Sequence, residues 1–419
     1  MIGPNQRAPR ATNLILAAIY GALVALIIGY AASYVLTRFG MGIVGASGTR
    51  VTGPSVFARA GLNLYAVQHV SLAGDGSVTD ALGNRERVHA EITLPLTIWA
   101  GIPIVALMVG GYAAARTRSS RGRIAMTTAA LLTAALYAIV LAAASVWVVA
   151  RIDTFLLPEV GGISSNPPQI PFRPLPSSAL LFGAVFGFVF AYLGAVIAAR
   201  GAHGGVSRNV WARLKAVVIV ALVVQLLIAA CALAWSVVRK RGEGEQPRII
   251  EMLPMAAGIG YVMIHGGTLL SSVESKVASM NRVDRPFCAR VNLYGGVTQA
   301  ESHKGVPAAV WGVGLAIGIA AAVLMGWLAV KWGSRDGALA TALWVAILHT
   351  FYLALLTGLC GMGLSQSGAF ATSTISVEPL IGNAMFASLG GTFVLSLVGA
   401  GLAGKRCAIP AAATGEHGD

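Results

Sequence analysis

Charge is scarce in this chain, and acidic charge most of all. Its 419 residues hold 16 Asp and Glu against 30 Lys and Arg, and both signs together make up only 11%. With 56% hydrophobic residues, so little charge could not keep a soluble domain dispersed, which excludes that class. Cysteine is nearly missing too. Cys231, Cys288, Cys360 and Cys407 form no C-x-x-C and no metal spacing, so no disulfide framework or zinc site is encoded. There is no Walker loop, Rossmann glycine pattern, nucleophile elbow or HExxH. Asp, Glu, Lys and Arg are also missing from the interiors of the long apolar runs, where His349 is the one ionisable group at depth. Ion-coupled carriers, proton relays and voltage sensors depend on such residues, so these classes are disfavoured.

What the chain has in quantity is apolar sequence, with a mean hydropathy of +0.74. Crossing a bilayer takes about 20 apolar residues. Eight stretches supply them, near 12–37, 93–115, 124–150, 177–199, 214–238, 306–330, 337–362 and 379–404. A ninth, 249–270, carries Glu251, Pro254 and His265, and a shorter one, 55–73, is broken by Arg59, Asn63, Gln68 and His69. The pattern predicts an all-α polytopic bundle of eight spans, with 55–73 and 249–270 lying as non-spanning outer interfacial helices. The first apolar run is too long for the core of a signal peptide and reads as a retained span.

Charge sets the orientation. With the amino terminus inside, the inner segments hold Arg7, Arg10, Arg116, Arg118, Arg121, Arg123, Arg200, Arg208, Arg213, Lys215, Lys331, Arg335, Lys405 and Arg406, against Asp336, Glu416 and Asp419. The remaining acids and bases nearly balance outside. This predicts a multi-pass protein of a bacterial cytoplasmic membrane with both termini cytoplasmic. The net charge of +14 then belongs to inner loops and anionic headgroups, which makes the bilayer a partner and nucleic acid none.

The order of landmarks repeats. Tyr65 and His69 match Tyr261 and His265; Pro95 and Trp99 match Pro307 and Trp311. Gly111-Tyr112 matches Gly326-Trp327, and Gly194-Ala195 matches Gly399-Ala400. We read residues 1–205 as one membrane repeat, 206–406 as a second and 407–419 as a disordered cytoplasmic tail. Four spans per repeat make the copies parallel.

Before each proline stand a His and a Glu in swapped order, His89 and Glu91 in the first half, Glu301 and His303 in the second. With His69 and His265 they give each half two imidazoles and a carboxylate. That set is chemically able to hold a divalent metal or to respond to acid, and equally able to serve as structural hydrogen-bonding groups. No catalytic residue and no cofactor is assigned. The segment 157–177, with six prolines, reads as a stiff outer loop rather than helix or central strand.

An apolar outer helix ending near a His, then a polar loop, then ITLPLTIWAG opening a span, resembles the streptophobe-type bacterial membrane proteins and the PerM-type actinobacterial proteins. The likeness covers mainly 55–115. It departs where a His-Gly pair reads His69-Val70, while the second half has His265-Gly266. It implies a multipass envelope protein without established catalysis. The functional expectation is a non-enzymatic membrane protein that assembles or stabilises other membrane or envelope proteins. The alternative is a permease or facilitator for a neutral or lipid-like solute.

Overall fold

The computed structural model describes residues 11–39, 51–52, 55–79, 85–95, 97–116, 123–153, 169–198, 206–239, 246–277, 282–294, 296–299, 302–333, 336–368, 371–380 and 384–407. Among the described residues, ten α-helices run in the order α1 (Ala11–Arg38), α2 (Val56–Ala66), α3 (Gly101–Arg116, entered through a 3-10 turn at Ile98–Ala100), α4 (Arg123–Ala144), α5 (Pro176–Ala198), α6 (Val206–Arg239), α7 (Gln246–Ile264), α8 (Ala308–Lys331), α9 (Ala338–Cys360) and α10 (Ala384–Cys407). Seven are long and apolar enough to cross a membrane: α1, α3 with its entry turn, α4, α5, α6, α8 and α9. The protein is therefore a multi-pass membrane protein. In α10 the apolar part is shorter, Ser388–Ala403. The 11 residues of α2 span about 16 Å, half the hydrocarbon thickness. In α7 the apolar part begins only at Met252.

The all-α expectation is corrected. The described residues of the segments between spans, read as loops, build one antiparallel sheet of eleven strands: β1 (Val51–Thr52), β2 (Leu72–Thr79), β3 (Arg85–Thr93), β4 (Ala150–Asp153), β5 (Gln169–Pro174), β6 (Thr268–Val277), β7 (Arg282–Asn292), β8 (Gly296–Gln299), β9 (Ser302–Lys304), β10 (Met362–Gly368) and β11 (Ala371–Leu380). Their order across the sheet is β1-β4-β5-β2-β3-β10-β11-β6-β7-β8-β9. Connectivity puts every strand at one end of the bundle.

The prolines of 157–177 do not prevent pairing either. β5, with Pro171 and Pro174, lies between β4 and β2 and pairs with both. Proline removes one N–H and leaves its carbonyl and its neighbours free to bond. Gln169–Pro174 is therefore strand rather than loop, while 157–168 lie outside the described residues.

The sheet has two different faces. Leu72, Gly74, Val88 and Ala90 alternate inward and are buried. Leu72, Val88 and Ala90, with Ile170 and Phe172, form a core with α2 and the ends of the first-half helices. Asp75, Ser77, Arg87, His89 and Ser367 are exposed on the opposite face.

Helix contacts follow one scheme in both halves. In the first, α1 packs on α2, α3 and α4, and α5 packs on α3 and α4; in the second, α6 packs on α7, α8 and α9, and α10 packs on α8 and α9. Glycines allow the closest crossings. A Cβ on Gly111 would meet the Ala191 carbonyl, and one on Gly194 the Met108 carbonyl. In the second half, Gly326 faces the Ser396 carbonyl and Gly399 the Val323 carbonyl in the same way. Contacts among the described residues join the halves. β3 pairs with β10 from Thr93–Gly363 to Val88–Gly368. α7 touches the turn at Ile98–Ala100. Leu355 and Leu359 of α9 pack into the first core.

Candidate functional site

The two helices bearing Tyr-x-x-x-His end in the same hydrogen-bonded turn. In the first, His69 has a positive φ of 63°, its N–H bonds the Ala66 carbonyl at 3.1 Å, and the Val70 N–H bonds the Tyr65 carbonyl at 3.2 Å. In the second, Gly266 has φ 89°, its N–H bonds the Met263 carbonyl at 3.0 Å, and the Gly267 N–H bonds the Val262 carbonyl at 2.9 Å. Both are Schellman endings, with a left-handed residue closing the last turn.

The turn therefore places His69 with Gly266, Tyr65 with Val262, and Gln68 with His265. The two Tyr-x-x-x-His motifs are offset by one residue. Strand register agrees with the turn: Leu72 pairs with Pro174, and Leu269 with Pro379.

His69 is a strap. Its Nδ1–H donates to the Leu94 carbonyl at 2.7 Å, and its ring meets Phe182 edge-on at 5.0 Å. Burial lowers its pKa against the opposing effect of the carbonyl bond. Pro95 is buried beside it, and Trp99 packs against the first core. Pro307 and Trp311 are used differently, since Pro307 caps α8 and Trp311 is exposed.

Gln68 and His265 each reach toward the spanning helix behind them. The Tyr137 hydroxyl of α4 donates to Gln68 Oε1 at 3.1 Å, and Gln68 Nε2 donates back to the Leu64 carbonyl at 3.0 Å. In the second half the His265 and His349 rings stand 4.6 Å apart. His265 Nδ1–H donates to the Tyr261 carbonyl at 2.9 Å, and its Nε2 is buried with no partner in the structure. His349 bonds the Tyr261 hydroxyl through Nε2 at 2.9 Å and Thr392 through Nδ1 at 3.0 Å. Tyr65 is used elsewhere, donating to the Leu141 carbonyl at 2.6 Å. The sequence singled out His265 and His349 as candidates; Gln68 entered only as a polar break in 55–73, and Tyr137 and Thr392 carried no signal.

Gln68 and Tyr137 are both 0% exposed, so Tyr137→Phe strands a buried carbonyl oxygen. We expect a loss of about 1–3 kcal/mol, read as a lower melting temperature in detergent. Adding Gln68→Leu should restore part of that loss, because the orphaned group is then gone.

The outer face holds the second constellation. His89 Nδ1 lies 2.8 Å from Asp75 Oδ1 across β2 and β3. Glu91 follows two residues along on the same face, opposite Ala73 and Ser365. Together with Ser77, Arg87 and Ser367, the His89–Asp75 pair lines a depression of about 690 Å³ above the β3–β10 seam. Both partners of the pair are well exposed, so it adds little stability, and its groups are free to meet a ligand.

His69 sits with the buried groups beneath the sheet, away from His89 and Glu91. Glu301 lies outside the described residues, as does the side chain of His303 in β9. Among the described residues, no three His, Cys, Asp or Glu side chains gather closely enough to hold a metal ion. No family model, no curated protein and no solved structure matches this chain.

Proposed function

We propose that the chain is two copies of a four-span module, and that their joined sheet is a docking platform for another envelope protein on the outer side of a bacterial cytoplasmic membrane. Four observations support the duplication. The strand order β4-β5-β2-β3 recurs as β10-β11-β6-β7. The same helix pairs touch in each half. The glycine crossings recur, and so does the helix-ending turn. Orientation follows from the bases: Arg116, Arg123, Arg208, Arg213, Lys215 and Lys331 belong to the ends away from the sheet, which we assign to the cytoplasm with both termini.

The observation that carries the platform reading is the depression over the seam. It lies on the polar face, it takes groups from both halves, and it offers both signs of charge. The likeness of 55–115 to streptophobe-type and PerM-type proteins points the same way. The packed seam favours a platform over a facilitator, since Leu355 and Leu359 fill part of the space between the halves.

The test places a photo-crosslinking amino acid at Ser77, His89 or Ser367 in cells that make the protein. The expected result is one discrete adduct with a membrane or envelope protein, lost when Arg87→Ala is added. Absence of any adduct at all three positions, together with solute flux in proteoliposomes, would replace the platform with a facilitator.

A further inference from the structure

We infer that the β8–β9 hairpin is a built-in cap over a strand-docking edge, and that the occupant it keeps out is a second copy of this chain. The two halves join head to tail: the outer edge of β3 receives β10. Contacts of this type are heterologous, so unless their rotation closes a ring the same surface can add further units without limit. An uncovered edge strand carries a row of free N–H and C=O groups that invites such pairing.

β7 is the strand that stands where β3 stands, because Leu269 pairs with Val291 as Leu72 pairs with Ile92. Its free edge should therefore accept a strand of the β10 kind, and β8 already occupies that edge in the matching register. On β3, the residues Thr93, Ile92, Glu91 and Ala90 face Gly363, Leu364, Ser365 and Gln366. On β7, Asn292, Val291, Arg290 and Ala289 face Gly296, Val297, Thr298 and Gln299. The seam strand reads Gly-Leu-Ser-Gln and the hairpin strand reads Gly-Val-Thr-Gln, two sequences of the same size and polarity in the same order.

The hairpin is extra to the module. The first half passes from β3 to the turn at Ile98 through residues 94–97, whereas the second half uses 293–307 to reach α8. β9 then closes the sheet with Ser302–Lys304, a very short strand that carries Lys304. Short, charged edges are how antiparallel sheets discourage further pairing. At the far end of the sheet, β1 lies on the complementary edge, where among the described residues Val51 pairs with Ile152 and Thr52 with Arg151.

The inference rests on strand register and on the duplication proposed above, and stands whether or not a foreign protein docks on the outer face. Its test compares native mass by light scattering in detergent across a concentration series. One variant lacks residues 296–304, and a second, Val297→Pro with Thr298→Pro, keeps the chain length but cannot pair as β8. Both should reach about twofold or greater mass relative to the full chain, rising through successive multiples with concentration. A third variant, Val291→Cys with Val297→Cys, ties the cap to β7 and should keep the mass of the full chain. Unchanged mass in the first two variants would overturn the inference. So would a fixed dimer that stops growing, which signals a closed contact. Failure of both to fold would overturn it as well, since a module that folds without the hairpin in the first half cannot need it in the second.

Discussion

Gly111→Leu is expected to lose about 3 kcal/mol or more, and Gly326→Leu to lose a similar amount. Membrane helices gain little from hiding apolar surface from an apolar solvent, so their association depends on close packing, and small residues allow it. The two glycines have no space for a side chain. A Cβ on Gly111 would enter the carbonyl of Ala191, and one on Gly326 the carbonyl of Ser396. The opposing atoms are backbone within helices, so no rotamer change relieves the overlap and the helices must separate. Separation would also disturb the reciprocal crossings, where Gly194 and Gly399 approach Met108 and Val323. The measurements are folded yield in detergent and melting temperature. Gly358→Leu and Gly390→Leu are the controls, since both positions are exposed with nothing within 4 Å of an added Cβ. Those should melt near the parent. A Gly111→Leu protein that melts with the parent would show that α3 and α5 do not cross there.

Acid is expected to destabilise the protein through its buried imidazoles. Burial holds the pKa of His69 and of His265 below the ordinary 6.5, and in each case the bond to a backbone carbonyl only partly offsets burial. The unfolded chain then binds more protons than the native one once pH falls below 6.5. The stability that these neutral rings contribute is therefore complete above 6.5 and is lost as pH drops through 6.5 toward the lowered native values. None of α6, α8, α9 and α10 contains an Asp or Glu that could stabilise an imidazolium beside His265. The melting temperature should be lower at pH 5 than at pH 8. His265→Gln, which copies Gln68 at the same point of the turn, should narrow that difference. So should His69→Asn, because asparagine tolerates the left-handed backbone better than other side chains with a Cβ. Equal melting temperatures of the parent at the two pH values would remove the argument.

Part of this was legible in the sequence because part of it is local. A run of about 20 apolar residues is costly in water wherever it occurs, so seven of the expected spans are found as long apolar helices. Arg59, Asn63, Gln68 and His69 shortened the apolar run at 55–73, and α2 is accordingly too short to cross. Gly111, Gly194, Gly326 and Gly399 were visible as landmarks, although nothing in their letters told which backbone each would touch.

The sheet was not legible. β2 reads LAGDGSVT and β10 reads MGLSQSG, rich in glycine and serine and weak in the residues that favour strands. Their stability comes from partners far away in the chain, as when Thr93 meets Gly363. The Tyr-x-x-x-His pattern misled for a related reason. Matching letters aligned His69 with His265, whereas the positive-φ turn aligns His69 with Gly266.

The sequence by itself determined that this is a multi-pass membrane protein, because transfer into lipid depends on stretches read one at a time. Only the tertiary structure decided that the segments between spans join as one sheet, that His69 is a strap beneath it, and that His89 meets Asp75 at its surface. Those outcomes depend on which strand edges the packed helices bring within hydrogen-bonding distance, and no single segment carries that information.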